Sequence, residues 1–171
     1  ITNKIILVTN GVFLTSDKFK KLVEAGINTF KISLDVISSK KFFEIKGVDV
    51  GEDVVKNLEN CIKLINENKL NIDFTIICSS TTSDELDLTN ESKRIVDHFM
   101  PLIQDSSNIK IHFRKIFNWV DSINETSNSN KNKYERPFPC EQPFYLLSIH
   151  SDGEISMCCP DVKKQLVLAN I

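Results

Sequence analysis

Three of the five cysteines of this chain lie around one predicted β-hairpin near the carboxyl end. Between Cys140 and Cys158 an alternating stretch at 144–149 is followed by a turn at Gly153 and a second short stretch at 154–157, a pattern typical of a β-hairpin. Because a hairpin brings its two ends together, we expect the two cysteines to approach each other. The pair suits a disulfide, a metal site or an iron–sulfur cluster.

The number of cysteines helps to decide among these three kinds of site. An odd number in a chain of this length is unlike a disulfide-dense secreted scaffold, so clustered cysteines favour metal or redox chemistry. A closed metal site needs four ligands, and Cys159, adjacent to Cys158, is expected to pack near a ligand rather than to be one. Cys61 and Cys78 are expected to be small buried side chains. The three histidines show no metal-ligand spacing and are expected to be structural or exposed.

Two further groups of polar residues follow predicted strands in the first part of the chain. Thr9-Asn10-Gly11 comes after an apolar run, and on its own it is equally typical of a simple turn. Ser33 and Asp35 are one residue apart, so both should point the same way from their strand, although an aspartate here is also typical of a helix cap. Polar side chains buried together need a polar partner, such as a ribose, an amino group or a carboxylate.

The elements that would position these residues alternate along the chain. The predicted strands are 4–9, 29–35, 71–78 and 108–113, and the predicted helices are 16–25, 52–68 and 85–100, the last ended by Pro101. This order predicts a parallel sheet with right-handed crossovers, either doubly wound or part of a (β/α) barrel. In both, chemistry lies at the carboxyl ends of the strands. The first strand, as a continuous apolar run, is expected to be buried on both faces.

The remaining segments set the predicted domain boundaries. Residues 36–49 are predicted to be a connection whose Phe42-Phe43 pair lies in the core. The polar, low-complexity segment 121–136 is predicted to be a linker between a domain at 1–120 and a cysteine hairpin module at 137–171.

Charge and hydropathy exclude some classes of partner. The net charge of −2, with both signs interspersed, gives no support for binding to nucleic acid or to a membrane surface. The apolar runs are too short to span a bilayer, and no signal peptide is visible. The few cysteines, odd in number, favour a protein of the reducing cytosol. The first residue is Ile1 and not methionine, so we expect a fragment of a longer protein.

Several segments of the sequence resemble the radical S-adenosylmethionine (radical SAM) superfamily, in its branch with a carboxyl-terminal SPASM or twitch extension. The segments that carry the resemblance are IILVTNG (5–11), EAGI (24–27), FKISLD (30–35), FFEIKG (42–47), EDVVKNLENCIKLI (52–65) and CEQPFYLLSIHSDGEISMCCPD…LANI (140–171). The resemblance implies a partial (β/α)6 TIM-like barrel, here strands three to six, followed by the start of the extension.

The resemblance also implies cofactors and site residues. S-adenosylmethionine would lie across the carboxyl ends of the strands, and Cys140 and Cys158 would be the first two ligands of an auxiliary [4Fe–4S] cluster. The residues that it assigns to the S-adenosylmethionine site are Thr9, Asn10, Gly11, Ser33 and Asp35. The CxxxCxxC loop that holds the family's own [4Fe–4S] cluster is absent from the sequence, so those ligands are expected outside this chain.

The activity implied for the parent protein is reductive cleavage of S-adenosylmethionine to a 5′-deoxyadenosyl radical, which abstracts a hydrogen atom from a peptide or a small molecule. Such oxidoreductases take electrons from an external donor such as flavodoxin or ferredoxin. The chain alone is expected to be inactive. The alternative is a non-catalytic α/β domain whose cysteine hairpin binds zinc or forms a redox disulfide.

Overall fold

The computed structural model describes residues 4–80, 85–103, 106–115, 141, 144–158, 161 and 164–171, with the backbone alone at 45, 79–80, 85–92 and 114–115. The chain divides into two compact units, Ile1–Ile116 and Phe117–Ile171. The predicted linker at 121–136 lies outside the described residues. Among the described helices, none is long and apolar enough to cross a membrane.

The first unit is a four-stranded parallel sheet with helices between its strands. Its strands are β1 (Ile6–Thr9), β2 (Thr29–Ser33), β3 (Asp73–Ser80) and β4 (Ile109–Lys115), paired in the order β1-β2-β3-β4. Its helices are α1 (Ser16–Glu24), α2 (Ser39–Lys46), α3 (Gly51–Glu67) and α4 (Glu85–Ile103). The alternating α/β order and the parallel pairing agree with a partial TIM-like fold. The four described strands form an open sheet and not a closed barrel.

The core lies between one face of the sheet and the helices. Phe30 and Ile32 on β2 and Phe74 on β3 have no exposed surface, and the ring of Phe19 on α1 packs on Phe30 with centroids 4.8 Å apart. Lys31 and Ser33, which alternate with these residues along β2, are only half-buried. This alternation is typical of a sheet covered by helices on one face.

Strand β1 differs from the expectation of burial on both faces. Ile6 is 47% exposed and Val8 is 64% exposed, so that prediction is wrong. Within the described residues β1 is an outer strand, and the helices cover only the face that carries Leu7 and Thr9. An apolar run shows that a strand can be buried on both faces, but it does not show which faces have neighbours.

The connection at 36–49 contains a helix that the sequence analysis did not predict. Helix α2 ends with Gly47 in the left-handed region at φ 72°, where glycine carries no steric penalty. Phe42 is buried as predicted, whereas Phe43 is 55% exposed, so its assignment to the core is wrong. Adjacent residues of a helix point about 100° apart, and only one of the pair can face the core.

Helix α1 begins at Ser16 as predicted, whereas helix α4 ends later than predicted. The cap of α1 is Thr15, whose side chain accepts a hydrogen bond from the Lys18 amide at 3.4 Å. Helix α4 continues through Pro101 to Ile103, because a proline in the last turn removes only one backbone donor. The carbonyl of Leu102 in that turn accepts a hydrogen bond from Asn66 Nδ2 at 2.8 Å.

The second unit contains a three-stranded antiparallel sheet. Its strands are β5 (Ser148–Ile149), β6 (Glu154–Ser156) and β7 (Val167–Asn170), in the order β5-β6-β7. At the turn between β5 and β6, Gly153 has a φ of 86° and its amide bonds the carbonyl of His150 at 3.0 Å. A β-carbon at Gly153 would lie 2.7 Å from the carbonyl oxygen of Ile171, so this turn requires glycine. Strand β7 was not predicted.

Candidate functional site

The polar residues after β1 and β2 lie at the same edge of the sheet. Thr9 pairs with Ile32, so the carboxyl ends of these two parallel strands are adjacent. Pairing continues past the end of β2, where the Leu34 amide bonds the carbonyl of Ile77 on β3 at 2.9 Å. The fold therefore places both predicted groups at the edge where parallel α/β sheets bind ligands.

The loop after β1, Thr9–Val12, is shaped by its own polar side chains. Thr9 Oγ1 accepts a hydrogen bond from the Gly11 amide, and Asn10 Oδ1 accepts one from the Val12 amide, both at 3.2 Å. These short bonds are typical of side chains that fix a turn. Thr9 and Asn10 therefore hold the loop in shape in addition to any contact they make with a ligand.

Gly11 meets two separate requirements. Its φ of 78° lies in the left-handed region, which disfavours residues with a β-carbon. It is also buried against the core: a β-carbon there would lie 3.1 Å from Ile32 Cγ2 and 3.2 Å from Leu58 Cδ1. Because Leu58 belongs to α3, the loop after β1 rests directly on that helix.

The sheet register separates Thr9 from Ser33. Paired residues of parallel strands point to the same face, so Thr9 shares the helix-covered face with Ile32. Ser33 precedes the fully buried Leu34 and lies on the opposite face, with Asp35 on the same side after it. Of the predicted site residues, Ser33 and Asp35 lie on the face that the described helices leave open.

Asp35 is held by a cation from the following helix. The ammonium group of Lys46, the last residue of α2, lies 2.7 Å from Asp35 Oδ2, and the Asp35 side chain is only 13% exposed. This ion pair joins the end of β2 to the end of α2. Asp35 was predicted from the sequence, whereas Lys46 was not.

Asn57 on α3 is the second residue that sequence reasoning missed. Its Nδ2 donates hydrogen bonds to the carbonyls of Gly11 at 3.1 Å and Val12 at 3.0 Å. Asparagine has a poor intrinsic helix propensity. In the sequence, this was the available signal that the side-chain amide of Asn57 makes a specific hydrogen bond.

Two cysteines of the first unit are unsuited to metal binding. Burial raises the pKa of the Cys61 thiol to about 12, and burial together with the charge of Asp35 raises the pKa of Cys78 to about 12. Metal ligation requires the thiolate. Their prediction as small buried side chains is confirmed by their exposures of 0% and 5%.

Of the three cysteines around the hairpin, Cys158 lies within the described residues, whereas Cys140 and Cys159 lie outside them. Cys158 is half-buried, and its carbonyl accepts hydrogen bonds from Ser156 Oγ and from the Asp161 amide, both at 3.1 Å. Ser156 is fully buried and also contacts His150 Nε2 at 3.0 Å. Hydrogen bonds thus fix the backbone of a predicted cluster ligand.

Asp161 orders the segment after Cys158. Its carboxylate accepts hydrogen bonds from the amides of Gln165 at 2.9 Å and Leu166 at 2.6 Å, and the Gln165 bond is the main cause of a lowered Asp161 pKa. In the part of the chain that the structure describes, no three histidine, cysteine or acidic side chains form a metal-binding group. The auxiliary cluster predicted at Cys140 and Cys158 stays a prediction.

The comparisons with known proteins give partial matches. No family model matches the sequence. A probable GTP 3′,8-cyclase of Pyrococcus abyssi is 36% identical over 80 residues, which are 47% of this chain and 25% of that protein. A protein of the same name from Methanococcus vannielii is 33% identical over 112 residues, which are 63% of this chain and 36% of that protein.

The chain therefore spans between a quarter and about a third of the length of the curated relatives it matches. This similarity supports a radical SAM role at the level of the family.

Proposed function

We propose that this chain is part of a radical SAM enzyme and that the carboxyl edge of its parallel sheet binds S-adenosylmethionine. One observation carries the proposal: the sheet brings the Thr9-Asn10-Gly11 loop and the Ser33–Asp35 segment to one edge. The partial similarity to probable GTP 3′,8-cyclases supports it independently of that geometry.

The residues at this edge fit a nucleoside that carries an amino-acid group. The hydroxyl of Ser33 can donate to or accept from a ribose hydroxyl, and the carboxylate of Asp35 can accept from a ribose hydroxyl or an ammonium group. The ammonium group of Lys46 lies beside the carboxylate of Asp35 and balances its charge. The Thr9–Val12 loop supplies a fixed turn beside them.

In such an enzyme, S-adenosylmethionine and a [4Fe–4S] cluster supply the radical chemistry. The residues of this chain bind and orient the nucleoside and limit its contact with water. We propose Cys140 and Cys158 as ligands of an auxiliary [4Fe–4S] cluster. The hydrogen bonds at the Cys158 carbonyl would hold that ligand in place.

The open face of the sheet is the basis for the proposed class of substrate. Lys31, Thr75 and Lys110 pair across three strands and lie in one row on the face opposite the core. Two ammonium groups in one row suit an anionic substrate, and GTP, named in the relatives, is the first small molecule to test. Peptides remain the other substrate class of the proposal, with flavodoxin or ferredoxin as the electron donor and no nucleic-acid or membrane partner.

The test uses the full-length protein that contains this chain, purified and reconstituted without oxygen. Wild-type protein is expected to bind S-adenosylmethionine and, with a reductant, to release 5′-deoxyadenosine. Ser33→Ala should weaken binding about tenfold, the loss expected from one or two hydrogen bonds.

The matched control is Ser107→Ala, because Ser107 is exposed and lies just before β4, at the opposite edge of the sheet. It should bind as wild type does. A full-length protein that carries zinc without iron and neither binds nor cleaves S-adenosylmethionine would contradict the proposal. That result would favour a binding-only α/β domain with a metal-binding hairpin.

A further inference from the structure

We propose that Asn57 is a positioning residue for the S-adenosylmethionine site: it fixes the Thr9–Val12 loop relative to the end of β2. The inference rests on the proposed function, because it takes this loop as part of the nucleoside site. Asn57 lies on α3, 46 residues after Gly11, and nothing near it in sequence belongs to the site.

The geometry of the contact is that of a two-point clamp. One amide group donates to two consecutive carbonyls, those of Gly11 at 3.1 Å and Val12 at 3.0 Å. Asn57 is half-buried, and its neighbours Val54 and Leu58 have no exposed surface. Because Val54 and Leu58 pack in the core, the clamp joins the loop to a part of α3 that the core holds.

The loop depends on the two hydrogen bonds from Asn57 because its other side-chain hydrogen bonds are local. Thr9 and Asn10 each accept a bond from an amide two residues away, which sets the shape of the turn but does not join Gly11 and Val12 to α3. Among the described residues, the two bonds from Asn57 are the hydrogen bonds that join Thr9–Val12 to α3, and Gly11 also packs on that helix. The next tie to α3 is the contact of Cys61 Sγ with the carbonyl of Leu14 at 3.7 Å. Without the bonds from Asn57 the carbonyl of Val12 loses a donor and the loop gains freedom.

A matched residue on the same helix separates positioning from stability. Asn66 is also half-buried on α3, and its Nδ2 donates to the carbonyl of Leu102 at 2.8 Å, near the end of α4 and away from the strand ends. Asn57→Ala and Asn66→Ala therefore both remove an asparagine side chain and its bond to a distant backbone carbonyl. Only the first loosens the proposed site.

The experiment measures the dissociation constant of S-adenosylmethionine with the reconstituted full-length protein, and amide hydrogen exchange at Gly11 and Val12. Asn57→Ala should weaken binding about tenfold and speed exchange at both amides, whereas Asn66→Ala should change neither. Asn57→Asp, which keeps the size but sets a carboxylate oxygen against two carbonyls, should lose more affinity than Asn57→Ala.

Asn57→Gln keeps the amide group and should recover part of the affinity, which makes the inference testable if Asn57→Ala folds poorly. Unchanged binding and exchange in Asn57→Ala would overturn the inference, as would an equal loss in Asn66→Ala. If wild-type protein does not bind S-adenosylmethionine, the proposed function fails, and the role of Asn57 in the nucleoside site fails with it. Faster exchange in Asn57→Ala would then show a purely structural clamp.

Discussion

Replacing Gly11 with alanine separates two energetic terms that act at one residue. The first is the backbone term, because a residue with a β-carbon at a φ of 78° costs about 1–2 kcal/mol. The second is the packing term, because the new β-carbon would lie 3.1 Å from Ile32 Cγ2 and 3.2 Å from Leu58 Cδ1. Overpacking of this kind costs about 1–3 kcal/mol. Together they predict a loss of about 2–5 kcal/mol in the free energy of unfolding.

Two other glycines isolate the backbone term. Gly26 and Gly47 also have positive φ, at 96° and 72°, but a β-carbon at either would meet nothing within 4 Å. Gly47→Ala matches the φ of Gly11 most closely and should lose only the backbone term. The difference between Gly11→Ala and Gly47→Ala therefore estimates the packing of the loop on α3.

The assay is urea unfolding of the full-length protein, followed by circular dichroism, for the wild type and both variants. Gly11→Ala should lower the unfolding midpoint by more than Gly47→Ala does, with a similar dependence on urea. It should also weaken S-adenosylmethionine binding, because the loop moves outward to relieve the contact. Equal midpoints for the two variants would refute the packing argument, since they differ in surroundings and not in backbone region.

Two further predictions follow from the titrating groups. Cys61 and Cys78, with pKa values of about 12, should resist alkylation by iodoacetamide at pH 8 until the protein unfolds, and peptide mass spectrometry showing fast modification of either would contradict their burial. The hydrogen bond from Lys164 lowers the pKa of Asp152 below its usual 3.8, so the pair favours folding above that pH and the contribution is lost as the pH falls through the folded-state pKa. Lys164→Ala should raise the Asp152 pKa in an NMR titration, and an unchanged value would count against the contact.

Much of the fold could be predicted because its signals are local. The strand-forming runs that end in Thr9 and Ser33, separated by amphipathic helices, are sufficient to predict a parallel α/β order. Helix α2 was missed because it is only eight residues long and its apolar pattern is weak, although Gly47 marks its end. The exposure of Val8 could not be predicted, because a run of apolar residues does not show which segments pack against it.

The candidate site could be predicted only in part for a related reason. Alternation within a strand predicts that Ser33 and Asp35 point the same way. The position of Thr9 on the opposite face depends on the register between β1 and β2, which no local pattern reveals. Lys46 and Asn57 act through contacts that only the tertiary fold creates. Their residue types alone do not distinguish them from other surface lysines and asparagines.

The Asn57 clamp also bears on the order in which the chain folds. Strands β1 and β2 pair across 23 residues, from Ile6 to Thr29, whereas β2 and β3 pair across 44, from Thr29 to Asp73. Doubling a loop adds only about 0.6 kcal/mol to its closure, but non-local pairings of this kind slow folding. The loop at Gly11 receives its clamp only when α3 docks in that longer crossover. During synthesis, Gly11 therefore leaves the ribosome well before Asn57 does, and the loop after β1 should become ordered only after α3 has docked.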